Sequence, residues 1–221
     1  MQQEHPLPTL SIKTYKSGKH GIRMIEGALQ LTAWAGFQSR QGWYNGKDRE
    51  APSDGWMKLS VEGDPNAEPP VMSAEQAAAY QYLMEHQEAI QQHIRAAALV
   101  HYNEWEAQCG YDEESGFSAP RAADRASFQP VMGLSQVHLL DLSKDGIAYV
   151  GYECGCEWDE EHGFGVLTHR DRVIEGGSAD VSFDTWLAEN DIDPVAAQKE
   201  LEKYKDMRGI PPPKKPWWKF W

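Results

Sequence analysis

The sequence is short of positive charge, short of cysteine and lacks any long apolar run, and each shortage removes a class of protein. Lysine and arginine number 21 against 34 aspartates and glutamates, a formal net charge of −13 over 221 residues. Nucleic-acid binding needs clustered cations against the phosphates, so no nucleic acid is expected as a partner and a basic protein suits the chain better. No stretch of about 18 apolar residues occurs, which leaves no candidate membrane span. The start, MQQEHPLPTL, lacks the basic flank and apolar core of a secretory signal, so the expectation is a cytoplasmic protein. Cys109, Cys154 and Cys156 are too few and odd in number for a disulfide framework, and read as thiols. The nucleophile-elbow, zincin, P-loop and dinucleotide-binding patterns are all missing. The expectation is therefore a protein that is not an enzyme and needs no cofactor.

What is present has the balance of a globular chain, long enough for one buried core. We expect a single α+β domain over residues 1–208, followed by a tail over 209–221. In residues 9–62, the runs LSIKTY, ALQLTAW and WMKLSV are separated by turns such as WYNGKD and PSDG, which predicts a small antiparallel layer. A breaker-rich EGDPNAEPP follows, and then the clearest helix, over 73–108. Ser73 and Gln76 form a capping box ahead of it. Tyr80, Leu83, Met84, Gln87, Ile90, Ile94, Ala97, Ala98, His101 and Trp105 recur at spacings of three and four, one mostly apolar stripe that suits a core face against a sheet. Residues 110–133 show no sustained period and read as a long connection, a place where contact surfaces are often found.

The second half carries the best strand pattern. QVHLLDL, the turn SKDG, IAYVGYECGCEW, FGVLTH and VIE predict an antiparallel meander over 135–183. A shorter helix over 194–206 follows Asp193 and Pro194, with Val195, Leu201 and Tyr204 on or near its inner side. The fold class is thus an antiparallel sheet against one long helix and a shorter C-terminal helix.

The window CGCEWDEEHGFGV, Cys154 to Val166, concentrates chemistry-bearing side chains. Alternation places Ala148, Val150, Tyr152, Cys154, Cys156 and Trp158 on one apolar face, where a free cysteine behaves as a small hydrophobe. Residues two apart on a strand are about 7 Å apart, whereas two sulfurs on one tetrahedral zinc sit about 4 Å from each other. That spacing disfavours a shared zinc, and a disulfide for the same reason. Asp159 can accept from backbone N–H groups of the turn, and Gly163 and Gly165 let the chain re-enter the sheet. An alternative reading gathers Asp159, Glu161, His162 and the distant His169, or His138, into a metal or acid–base site, since carboxylates and imidazole suit several metals.

The run EWDEEHGFGVLTHRDRVIEGGSAD resembles the signature end of an uncharacterised family of small, mostly bacterial domains, with a pattern close to W-D-x-E-H-G-x-G-V, then R-V, then G-x-A-D. The matching positions are Trp158, Asp159, Glu161, His162, Gly163, Gly165 and Val166, then Arg172 and Val173, then Gly177, Ala179 and Asp180. With the helix after Ser73 the resemblance covers about residues 70–187. Such domains resemble proteins encoded beside polymorphic toxins, which implies an immunity protein that neutralises a toxin. No catalytic residue comes with the resemblance.

The last stretch, GIPPPKKPWWKFW, has Lys214, Lys215 and Lys219 and no acid, so the remainder carries −13 − 3 = −16. Its prolines make it extended and stiff, and Trp217, Trp218, Phe220 and Trp221 call for a docking surface: the protein's own body or a twin subunit, a partner, or weak membrane contact. A homo-oligomer through the tail is one outcome. Candidate partner-binding residues are Asp112, Glu113, Glu114, Asp159, Glu160, Glu161 and those four tail aromatics, with Glu104 and Glu106 as further acidic contacts.

Overall fold

The computed structural model describes residues 5–17, 20–40, 51–109 and 127–208. Seven strands form one sheet in the order β1 to β7. They are β1 (Ser11–Ser17), β2 (His20–Gln30), β3 (Trp56–Val61), β4 (Met132–Lys144), β5 (Ile147–Cys156), β6 (Phe164–His169) and β7 (Arg172–Gly177). Every neighbouring pair is antiparallel except β3 and β4, which are parallel. The fold is α+β as expected, but the two antiparallel layers read from the two halves are a single mixed sheet. The reason lies between β3 and β4, where α1 (Ala74–Cys109) carries the chain back along the sheet. A strand entered after such a crossover runs parallel to the one that was left.

The capping box at the start of α1 is present in both directions. Ser73 Oγ accepts from the Gln76 N–H at 3.1 Å, and Gln76 Oε1 accepts from the Ser73 N–H at 2.9 Å. From there Tyr80, Leu83, Ile90, Ile94 and Ala98 are buried against Leu29, Leu59, Val137, Tyr152 and Val166 of the sheet. Tyr102, outside the stripe read from the sequence, joins them and is fully buried. The helix departs from helical φ/ψ at His86. Beyond that break Gln87 accepts from the Ala33 N–H at 3.0 Å and Gln91 donates to the Ala33 carbonyl at 2.5 Å, which ties α1 to the short 3-10 turn Thr32–Trp34. That turn ends β2 at Gln30, before the whole of ALQLTAW has been used as strand.

On the other face of the sheet the segments that follow β7 pack over β4–β6. A 3-10 segment (Ala179–Phe183) lies over the backbone of β5 and β6, so close that a Cβ on Gly151 would fall 1.5 Å from the Ser182 carbonyl oxygen. Next come α2 (Thr185–Ile192) and α3 (Pro194–Arg208). Leu187 and Ala188 of α2 pack with Val181 on Leu140, Tyr149 and Leu167. The sequence reading missed α2, which is a two-turn helix capped by Asp184 accepting from the Trp186 N–H at 2.9 Å. For α3 the start at Pro194 is as expected, with Asp193 accepting from Val195 and Ala196 N–H groups. On its inner side one residue needs correction: Val195 is exposed, whereas Ala197 is buried and Leu201 is half-buried as expected; the side chain of Tyr204 lies outside the described residues. A first-turn residue beside the cap faces out here because the following turn is the one that lies against the fold.

Candidate partner-binding surface at the β5–β6 turn

The turn from Glu157 to Gly163 is fixed from within by four groups. Trp158 is buried, edge-on to Tyr102 at 5.8 Å and Phe128 at 5.4 Å between ring centroids. Asp159 Oδ1 accepts from the His162 N–H at 3.0 Å and lies 3.0 Å from His162 Nδ1. The Asp159 carbonyl accepts from the Gly163 N–H at 2.9 Å and from the Cys156 thiol at 3.5 Å. Gly163 takes φ +64°, which a side chain would oppose. The His162 carbonyl then accepts from Ala179 N–H at 3.0 Å, joining the turn to the 3-10 segment. Gly165 lies under that segment too, where a Cβ would meet the Ala179 oxygen at 2.6 Å.

Cys154 and Cys156 lie on the apolar face as the alternation predicts, both free and fully buried. Burial pushes the Cys156 thiol up to about 12 and the Cys154 thiol well above its ordinary value. Neither is a ready nucleophile.

Carboxylates sit around this rigid turn. Glu160 and Glu161 are exposed and make no hydrogen bond or ion pair with other described residues. Glu157, also exposed, accepts from Gln38 Nε2 at 2.5 Å, and Gln38 in turn accepts from Arg40 Nε at 2.9 Å. The buried Arg40 guanidinium is pushed below its usual value by desolvation, while the carboxylates of Glu157 and Glu160 oppose that shift. Sequence reasoning missed Gln38 and Arg40, because they lie more than a hundred residues from the turn they support. On the α1 side, His101 stacks on Phe164 with 5.4 Å between ring centroids. Burial lowers its pKa, and Asp159 and the exposed Glu104 pull it up. Its Nε2 and the Trp158 Nε1 are buried without hydrogen-bond partners among the described residues.

The alternative metal or acid–base set does not converge. Asp159 and His162 touch, and Glu161 shares their turn, but His169 closes the far end of β6 and is bonded through Nε2 to the Lys144 carbonyl at 2.9 Å. Five strand steps along β6 amount to about 17 Å. His138 on β4 is 2.8 Å from Glu153 instead. Among the described residues no three His, Cys, Asp or Glu side chains are grouped to hold a metal ion. Glu106 accepts from the Tyr102 hydroxyl at 3.3 Å. Asp112, Glu113, Glu114, Trp217, Trp218, Phe220 and Trp221 lie outside the described residues, and no described helix is long and apolar enough to cross a membrane.

A family model described as a domain of unknown function (DUF6985) matches residues 27–183. The chain belongs to that family. No curated protein and no solved structure matches the chain. The matched span runs from β2 to the end of the 3-10 segment, so it holds the complete β5–β6 turn, Arg40 and the long helix.

Proposed function

We propose that this protein is a cytoplasmic protein-binding domain that holds a basic protein through the carboxylates of the β5–β6 turn, and that the bound protein is a bacterial toxin which it neutralises. The observation that carries the reading is the pair Glu160 and Glu161, exposed and without described ion-pair partners on a turn whose backbone is fixed by Asp159, Gly163 and the 3-10 segment. Charges held on a rigid support lose little freedom when a partner arrives, which is where interfacial charge gains affinity and association rate. The overall charge of −13 adds long-range attraction for a cationic partner. The resemblance to proteins encoded beside polymorphic toxins supplies the toxin part of the reading.

The test is capture from the native host with an N-terminal tag, read by mass spectrometry at low and high salt, for the natural chain and for the variant E160Q/E161Q. One stoichiometric basic protein is expected, weakened by salt. The double variant should bind it about 3- to 10-fold less tightly at low salt, as expected for two rim charges of roughly 0.5 kcal/mol each or slightly more. A stoichiometric partner held equally by both proteins at both salt concentrations would place the interface elsewhere.

A further inference from the structure

The sheet ends at β1, and the phase of its hydrogen bonds follows from β3. The Leu31 N–H donates to the Gly55 carbonyl at 2.9 Å, so the odd-numbered residues of β2 bond towards β3 and the even-numbered ones towards β1. In the β1–β2 register the partners of those even residues are Ser11, Lys13, Tyr15 and Ser17. The N–H and C=O groups of Ile12, Thr14 and Lys16 therefore point away from the sheet, and among the described residues nothing bonds to them. Thr14 and Lys16 are exposed and Ile12 is half-buried, so this edge is open. Its charge is opposite to that of the rest of the chain. Residues 11–25 hold Lys13, Lys16, Lys19 and Arg23 and no acid, a charge of +4, which leaves −13 − 4 = −17 elsewhere. The strand also lies outside the span matched by the family model and four strand spacings, about 19 Å, from β5, so it is separate from the β5–β6 turn.

We propose that β1 is the docking edge for an acidic, extended segment of a partner protein, which adds antiparallel to it as an eighth strand. In such an addition the main-chain groups of Ile12, Thr14 and Lys16 hold the incoming strand, and the side chains beside them choose it. Lys13 stands on one face of the edge and Lys16 on the other, both exposed. On an antiparallel strand the residues opposite Lys16 and Lys13 are three apart, and the residue after them lies opposite Ile12. The segment that fits thus carries carboxylates at i and i+3 and an apolar side chain at i+4, since opposite charges paired across strands stabilise and like charges do not. The same lysines argue against a second copy of this chain as the occupant. Lysine on an edge strand guards against self-pairing, and two bodies of −13 repel each other.

The experiment follows amide hydrogen exchange in the full chain by NMR, with the extended peptide TETVEVT, whose glutamates meet Lys16 and Lys13, and with TKTVKVT as its basic counterpart. At about 1 mM the acidic peptide should slow exchange at Ile12, Thr14 and Lys16 at least 3-fold, as for a Kd of roughly 0.5 mM or below, and the basic peptide should not. Thr14→Pro removes one outward N–H without breaking a bond to β2, a place where an edge strand accepts proline. Its Tm should match that of the natural protein, and the protection of Ile12 and Lys16 should be lost. The variant K13E/K16E, whose substituted side chains are both exposed, should instead be protected by TKTVKVT. Exchange unchanged by the acidic peptide, or slowed equally by both peptides, would overturn the proposal. So would protection that grows with protein concentration alone and comes with a dimer mass, which would give the edge to a second copy.

Discussion

The replacement Asp191→Ala tests how α2 is held to the sheet, and the size of its effect can be worked out bond by bond. Asp191 stands in the last turn of α2 and accepts from Arg172 Nη1 at 2.9 Å, Arg172 Nη2 at 2.7 Å, the Tyr149 hydroxyl at 2.7 Å and Lys144 Nζ at 3.2 Å. Tyr149 is completely buried, so removing the carboxylate leaves its hydroxyl without that acceptor, at a cost of about 1–3 kcal/mol. Arg172 and Lys144 remain partly solvated, and losing those two pairs adds only about 1 kcal/mol together. The expected loss is about 2–4 kcal/mol by urea unfolding at pH 7, or a fall in Tm of roughly 5–15 °C for a chain of this size. Adding Tyr149→Phe to the variant removes the stranded donor and should restore part of that stability. The pH dependence has a definite sign. The bidentate Arg172 pair, with help from Tyr149 and Lys144, holds the Asp191 carboxyl well below the usual carboxylate range. Its contribution is therefore complete above the unfolded value of about 3.9 and disappears as the pH falls below that towards the folded value. The gap between the natural protein and Asp191→Ala should be constant above about pH 5 and close in acid. A loss under 1 kcal/mol at pH 7, or a gap that widens on acidification, would refute this account.

Three further outcomes follow from the same geometry. Gly165→Ala, which sets a Cβ 2.6 Å from the Ala179 oxygen, should destabilise by more than about 2 kcal/mol in denaturant unfolding, because backbone must move rather than a flexible side chain. In a Cys109→Ser background, Cys154 and Cys156 should resist iodoacetamide at pH 8 until the protein is unfolded, since both are buried and Cys156 stays a thiol up to about 12; rapid labelling of the native protein would contradict their burial. His101→Leu should flatten the loss of stability as the pH falls below about 6.5, the unfolded value. The folded pKa of His101 is lowered by burial despite Asp159 and Glu104, so the unfolded state takes up the proton first; a natural protein already flat in that range would remove the basis for this prediction.

The parts of the fold legible in the sequence are those with local causes. The Ser73–Gln76 box and the strand alternation through Cys154 and Cys156 depend on residues within one or two turns of each other, and both are found where the pattern puts them. The parallel pairing of β3 and β4 was not legible, because it is decided by the path of a 36-residue helix rather than by either strand. The covering of Gly151 by Ser182 and of Gly133 by the Gln38 carbonyl also depends on distant segments, and alternation gives no sign of it. Val195 was placed on the inner side from its apolarity alone, which cannot tell a first-turn residue at the surface from one in the core.

The signature around the β5–β6 turn can now be divided by cause. Trp158 packs on Tyr102 and Phe128, Asp159 and His162 close the turn, Gly163 needs a positive φ, and Gly165 admits the passing 3-10 segment. Gly177 makes room for Val181, since a Cβ there would lie 2.9 Å from its Cγ2. Each of these residues has a task inside the fold, so none needs a ligand to explain it. Glu161 is different: it belongs to the same signature, is exposed, and has no described side-chain partner. A carboxylate with no structural task, on a turn made rigid by its neighbours, is where substitution should alter binding while leaving stability unchanged. That combination separates a binding role for Glu161 from a structural one: Glu161→Gln should keep its Tm within about 1 °C, as for a surface substitution of under 0.5 kcal/mol, and still weaken capture of the partner at low salt.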